Sequence, residues 1–292
     1  MRPRRSVLYL PGANERALEK ARTLPADALV LDLEDAVAPD AKATARDRVC
    51  EAVASGGYGE RETAVRINGL GSAWHDADVR AVAPVGPDAV VVPKVGSAAD
   101  VHAVDRALTD AGAPARTAVW AMVETPAAVL RAEEIATASE RLTVLVLGTN
   151  DLAKELRAEF VPGRAPLLPS LSLCLLAARA AGKSIVDGVY NDVRDAEGFE
   201  AECVQARQFG FDGKTLVHPN QLDVCNRVFA PSEADVEHAR RVIEALERAV
   251  ADGRGVVTVD GRMVENLHVE QARRVLTLHQ AVTARESGET GR

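Results

Sequence analysis

No CxxC pair occurs among the four cysteines, Cys50, Cys174, Cys203 and Cys225, which lie far apart in the 292-residue chain. That spacing suggests neither a zinc site nor a disulfide framework, so the thiols are expected to be small buried apolar residues. Long hydrophobic runs are missing as well. The N-terminus MRPRRSVLYLPG has a basic start but only four consecutive apolar residues, too few for a signal-peptide core, and no later run approaches membrane-spanning length. A cytoplasmic protein with no membrane partner is expected. Basic residues are in deficit: 35 Lys and Arg against 43 Asp and Glu leave a net charge of −8 and a pI near 5.4. Nucleic acid is therefore not an expected partner, and no anionic surface need be invoked. No GxGxxG fingerprint is present, so a Rossmann reading has no support.

What is present is a regular beat. Short apolar runs at residues 6–10, 28–33, 63–67, 88–92, 118–123, 142–147, 184–189 and 214–217 alternate with helical segments, among them 40–55, 98–111, 171–181 and 195–209. Eight strand–helix repeats over this length, with 47% hydrophobic and 27% charged residues, favour an α/β fold of the (β/α)8 TIM-barrel type over an open sheet. The barrel is expected to occupy residues 1–230. Residues 231–292 do not fit the beat and read as a lid or oligomerisation extension. They comprise a helix over 232–251, a turn at 252–255, a strand-like stretch over 256–263, a helix over 269–281 and a polar, disordered end from 286 to 292.

Acidic residues gather where these strands end. The run at 118–123 leads into Glu124, with Thr125 able to cap and Pro126 preset for a first helical turn, and the run at 142–147 leads into Asp151. Strands of one βαβ unit run parallel, so both carboxylates emerge at one rim. A hard divalent cation would fit there, since Mg²⁺ takes one or two protein carboxylates and leaves its other positions to water and substrate oxygens. On spacing alone that reading is level with a plainer one, in which each acid caps a helix. In LDLEDAV, the acids Asp32, Glu34 and Asp35 crowd one strand end and repel unless cations or donors compensate. Arg66, at the end of 63–67, is either a carboxylate clamp or an exterior salt-bridge partner. Arg16 and Lys20 share one helical face, for which spacing alone favours a solvated surface over a phosphate grip.

Nine segments together carry a resemblance: RSVLYLPGANERALEKA, LDLEDAV, VRIN, VVPKV, AMVETP, VLGTNDL, DGVYNDVRD, FGFDGKTLVHPNQ and DGRMVE. In that order, from residue 6 to about 278, the chain resembles the HpcH/HpaI aldolase and citrate lyase β-subunit family of CoA-ester lyases. The resemblance implies a (β/α)8 barrel that uses Mg²⁺, or Mn²⁺ in its place, to cleave or form the C–C bond of a 3-hydroxyacyl-CoA thioester such as malyl-, citramalyl- or citryl-CoA. It implies Glu124 and Asp151 as metal ligands and Arg66 as the grip on the keto-acid half. Glu34 and Asp35 would hold metal-bound water and order the site, and Arg16 and Lys20 would lie near the CoA phosphates. The family motif matching DGRMVE usually ends in aspartate, which serves proton transfer in a neighbouring subunit; here the position is Glu265, one methylene longer. A homo-oligomer, a trimer or a multiple of one, is implied. Two further readings are a citrate lyase β-like subunit acting on an acyl-carrier-protein thioester, and a barrel that binds a CoA ester or keto acid without turning it over.

Overall fold

The computed structural model describes residues 2–251, 253 and 255–290. Eight parallel strands close into a barrel: β1 (Ser6–Pro11), β2 (Ala28–Asp32), β3 (Glu62–Arg66), β4 (Ala89–Val92), β5 (Ala118–Val123), β6 (Leu142–Leu147), β7 (Ser184–Asp187) and β8 (Gly213–Leu216), with β8 pairing back onto β1. Closure leaves no sheet edge unpaired. The helices between them are α1 (Glu15–Lys20), α2 (Lys42–Ser55), α3 (His75–Val85), α4 (Ala98–Asp110), α5 (Pro126–Leu130), α6 (Ala132–Thr137), α7 (Thr149–Leu156), α8 (Leu168–Ala180) and α9 (Ala196–Phe209).

The strands are apolar on both faces, as parallel strands covered by helices must be. Alternation sends Val7, Ala28, Val30, Ala64, Ala89, Val91, Trp120, Met122, Val144, Val146 and Val186 into one buried cluster. Trp120 is fully buried within this cluster. Truncating it to alanine would cost about 3–5 kcal/mol. The same alternation, carried two residues beyond Val30, Ala64 and Met122, delivers Asp32, Arg66 and Glu124 to the C-terminal rim.

Two features were not expected from the sequence. The stretch between β3 and β4 contains α3, whose Pro84 near the end masks its helical pattern. The β5–β6 connection is split into α5 and α6 at Arg131.

The chain divides into two compact units, one spanning Arg4–Asn226 and the other holding the residues from Arg227 on. α10 (Leu222–Phe229) runs across that division. The second unit contains α11 (Glu233–Ala251), β9 (Val257–Val259), β10 (Arg262–Val264) and α12 (Asn266–Thr290), around a core that includes Val242, Leu246, Val264 and Val269. The strand-like stretch at 256–263 is thus a hairpin rather than one strand. Asp260 and Gly261, with φ of 50° and 76°, supply the left-handed pair that a two-residue hairpin turn needs. The last helix starts earlier and runs further than 269–281, so residues 286–290 are helical and not a disordered end. Residues 291 and 292, like Asp252 and Arg254 of the expected turn, lie outside the described residues. Among the described residues, no helix is long and apolar enough to cross a membrane.

Candidate active site

A cavity of about 370 Å³ opens at the C-terminal rim, lined in part by Tyr9, Asp32, Asp35, Arg66, Met122, Glu124, Asn150 and Asp151. The structure thereby brings together four of the expected site residues, Asp35, Arg66, Glu124 and Asp151.

Glu124 is 2% exposed, and one carboxylate oxygen accepts the backbone N–H of Lys94 at 2.7 Å. To point that N–H inward, Lys94 adopts φ 55°, a left-handed conformation that a side chain seldom takes. Helix α5 is capped by Thr125, whose hydroxyl accepts from Ala128 N, so Glu124 does not cap its own helix. Asp151, half-buried, sits in the first turn of α7. Gly148 lets β6 pass close: a Cβ there would meet the other Glu124 oxygen at 2.2 Å. Burial pushes the Glu124 carboxyl up to about 7, with Asp151 and Glu34 adding to the rise and the Lys94 N–H opposing it. Arg66 also opposes the rise, and a divalent cation held between the two carboxylates of this cavity would relieve what remains. Among the described residues no three His, Cys, Asp or Glu side chains form a metal-binding group. A cation held here would accordingly keep most positions for water and ligand oxygens, which is the Mg²⁺ pattern.

Arg66 is an interior residue rather than an exterior ion-pair partner. Its Nε and Nη2 clasp Asp32 at 2.7 and 2.5 Å, and its Nη1 lies 3.0 Å from Glu34. Asp32 also accepts the backbone N–H groups of Glu34 and Ala36, so the one carboxylate shapes the acidic loop and aims the guanidinium. Burial works against the Arg66 charge, but the Asp32 hydrogen bonds and the surrounding negative groups outweigh it and keep the group protonated. Glu34 is buried and bridges Arg66 and Lys94; its pKa is raised by burial, with those two cations opposing. Asp35 is exposed.

Arg16 and Lys20 stand exposed on α1 and do not line this cavity. Glu265 belongs to the second unit, half-buried between β10 and α12, where its backbone N–H donates to His268 Nδ1.

Sequence reasoning singled out Asp32 only as one of three crowded acids and missed the roles of Tyr9, Lys94, Asn150 and Asn191. Tyr9 was findable, two residues beyond the inward-facing Val7. The backbone role of Lys94 left no signal in its side chain. The Asn150–Asn191 amide pair, hydrogen-bonded both ways at 3.1 and 2.8 Å, ties the first turn of α7 to the loop after β7 across 41 positions.

The HpcH/HpaI aldolase/citrate lyase family matches residues 5–219. The (3S)-malyl-CoA thioesterase of Cereibacter sphaeroides is 52% identical over 97% of this chain and 96% of its own. The citrate lyase subunit beta of Escherichia coli K12 is 41% identical over 98% and 96%. The crystal structure of CitE from Mycobacterium tuberculosis in complex with magnesium, acetoacetate and coenzyme A superposes with a TM-score of 0.77. It is 31% identical, covering 95% of this chain and 98% of that one.

Proposed function

The chain belongs to the HpcH/HpaI aldolase/citrate lyase family, and from that premise we propose that it is a Mg²⁺-dependent carbon–carbon lyase acting on the CoA thioester of a 3-hydroxy dicarboxylic acid, malyl-CoA first among the candidates. One observation carries the reading: Arg66 shares a single rim cavity with the carboxylates Glu124 and Asp151. Glu124 and Asp151 would hold the cation, which supplies a Lewis acid for the oxygens of the 2-oxo acid half and for charge developing there. Arg66, held by Asp32, adds fixed positive charge beside it. Asp35, exposed and lining the same cavity, would take the 3-hydroxyl proton. As that proton leaves, the C2–C3 bond breaks, its electron pair passes to the thioester enolate, and a 2-oxo acid such as glyoxylate or pyruvate is released. Protonation at C2 then gives the acyl-CoA.

For that last proton we propose Glu265, lent by a neighbouring subunit, with the segment from 231 as lid and oligomer arm of a trimer or a multiple of one. Mixing inactive Glu124→Ala and inactive Glu265→Ala chains should restore activity on subunit exchange. A mixture that stays dead would confine Glu265 to its own barrel, and a monomer by light scattering would remove the arm.

Thioester hydrolysis is the second reading, favoured by the Cereibacter relatives named as thioesterases. Malyl-CoA with Mg²⁺ separates the two. Keto acid trapped as a hydrazone, with no free thiol, is the expected result. Thiol without keto acid would establish hydrolysis, and neither product would sink both. The citrate lyase β-like reading, motivated by the Escherichia coli relative, requires the same keto-acid release only from an acyl-carrier-protein thioester.

A further inference from the structure

Two hydrogen-bond donors at the rim are underemployed. Among the described residues, the Tyr9 hydroxyl, on β1, reaches one partner, the Met122 sulfur at 3.7 Å. Nη1 of Arg66, beyond its contact with Glu34, approaches the same sulfur at 3.9 Å. A thioether is a weak acceptor, whereas phenol and guanidinium are strong donors that normally find oxygen when buried. All three side chains line the cavity that holds Glu124 and Asp151. The Tyr9 ring also lies under the guanidinium, 4.8 Å from ring centroid to the Arg66 central carbon, a stacking that fixes the plane of the fork.

Resting on the keto-acid reading above, we infer that Tyr9 is a substrate-binding residue: its hydroxyl and the Arg66 Nη1 form a two-donor seat for one carboxylate oxygen of the 2-oxo acid, while its ring holds Arg66 in line. The sulfur of Met122 keeps both donors converged, and an arriving oxygen is the better acceptor for each. The phenol serves only as a donor, because burial raises its pKa far above any working pH. The seat therefore selects an oxygen-bearing, anionic end of the ligand and offers nothing to an alkyl group in the same place.

The test uses the full-length protein with Mg²⁺ and glyoxylate, titrated calorimetrically. Tyr9→Phe keeps the ring under Arg66 and removes only the hydroxyl, so glyoxylate should bind about five- to tenfold more weakly with an unchanged melting temperature. Tyr9→Leu, which removes the stacking too, should weaken binding further. Combined with Arg66→Lys, Tyr9→Phe should cost less than it does alone, because the seat is already broken. Wild-type affinity in Tyr9→Phe would overturn the inference while leaving the keto-acid reading intact. No glyoxylate binding by the wild type would remove both. Weaker binding in Tyr9→Phe accompanied by an equal loss of thermal stability would make Tyr9 a packing residue and also overturn the inference.

Discussion

Two charged clusters sit on the barrel unit, and only one of them is balanced. On β7, β8, α9 and the loop before α8, Lys214 and Arg164 face Asp187 and Glu202: Lys214 Nζ lies 2.8 Å from Asp187 and 2.6 Å from Glu202, and Arg164 Nη1 lies 2.8 Å from both Asp187 oxygens. Lys214 and Asp187 are both 0% exposed, so every charge there must be met inside the protein, and two cations meet two anions. At the rim, five carboxylates (Asp32, Glu34, Asp35, Glu124 and Asp151) face Arg66, Lys94 and Lys42, the last of which spends its ammonium on the carbonyls of Leu33 and Glu34. The first cluster is finished without a ligand. The second has more carboxylates than cations and a cavity beside it, the arrangement on which the proposed cation site rests.

Removing charge should therefore do opposite things in the two places. Glu124→Ala or Asp151→Ala is expected to lower Mg²⁺-dependent turnover by roughly a thousandfold or more while the melting temperature holds or rises, because a repelling acid has been taken from the rim. A variant retaining wild-type turnover would refute the metal assignment. Lys214→Met should leave turnover per folded molecule unchanged and lower stability by about 3–5 kcal/mol in denaturant unfolding, since Asp187 and Glu202 then keep a buried excess of charge. A stable Lys214→Met protein would mean that Arg164 alone balances that cluster.

The clusters also differ in the sign of their pH dependence. The Glu124 carboxyl is raised from its ordinary 4.5 to about 7, so in metal-free protein its contribution favours the fold below the lower value and is lost as pH rises through the upper one. Burial alone would raise Asp187, but Lys214 and Arg164 hold it below its ordinary 3.8. Its contribution is present above that value and is lost only as pH falls through the depressed one. Between about pH 5 and 8, the melting temperature of metal-free protein should drift down, and Glu124→Gln should remove the drift. An identical drift in that variant would assign it elsewhere. The smallest effect concerns Lys94, whose left-handed backbone glycine would adopt without strain: Lys94→Gly should be more stable than Lys94→Ala by about 1 kcal/mol, the side chain being absent from both. Equal stabilities would show the local conformation to be unstrained.

The residues at the ends of the apolar runs were the legible part of the site. Period-two alternation from Val30, Ala64 and Met122 carries straight to Asp32, Arg66 and Glu124, and the eight-fold strand–helix beat dictates a closed barrel on which those ends share a rim. Strand bounds followed because buried parallel strands are written as uninterrupted apolar runs. Helix α3 was hidden by its late proline, whereas the hairpin at 257–264 was legible in its Asp260-Gly261 turn and was passed over. What alternation cannot reveal is how a long side chain is spent. Nothing in VRIN says that the Arg66 fork closes on Asp32, leaving Nη1 for other work, and nothing in VVPKV says that the Lys94 backbone, bent to positive φ, supplies the donor that orients Glu124.

The claim that the rim cluster is open for a divalent cation is tested most directly by titrating Mg²⁺ into metal-free protein calorimetrically, with glyoxylate present to complete the coordination. The expected result is one saturable site per chain in the wild type, lost in Glu124→Gln and in Asp151→Asn but unchanged in Lys214→Met. Absence of saturable binding in the wild type, or binding of equal affinity in the two rim variants, would contradict it.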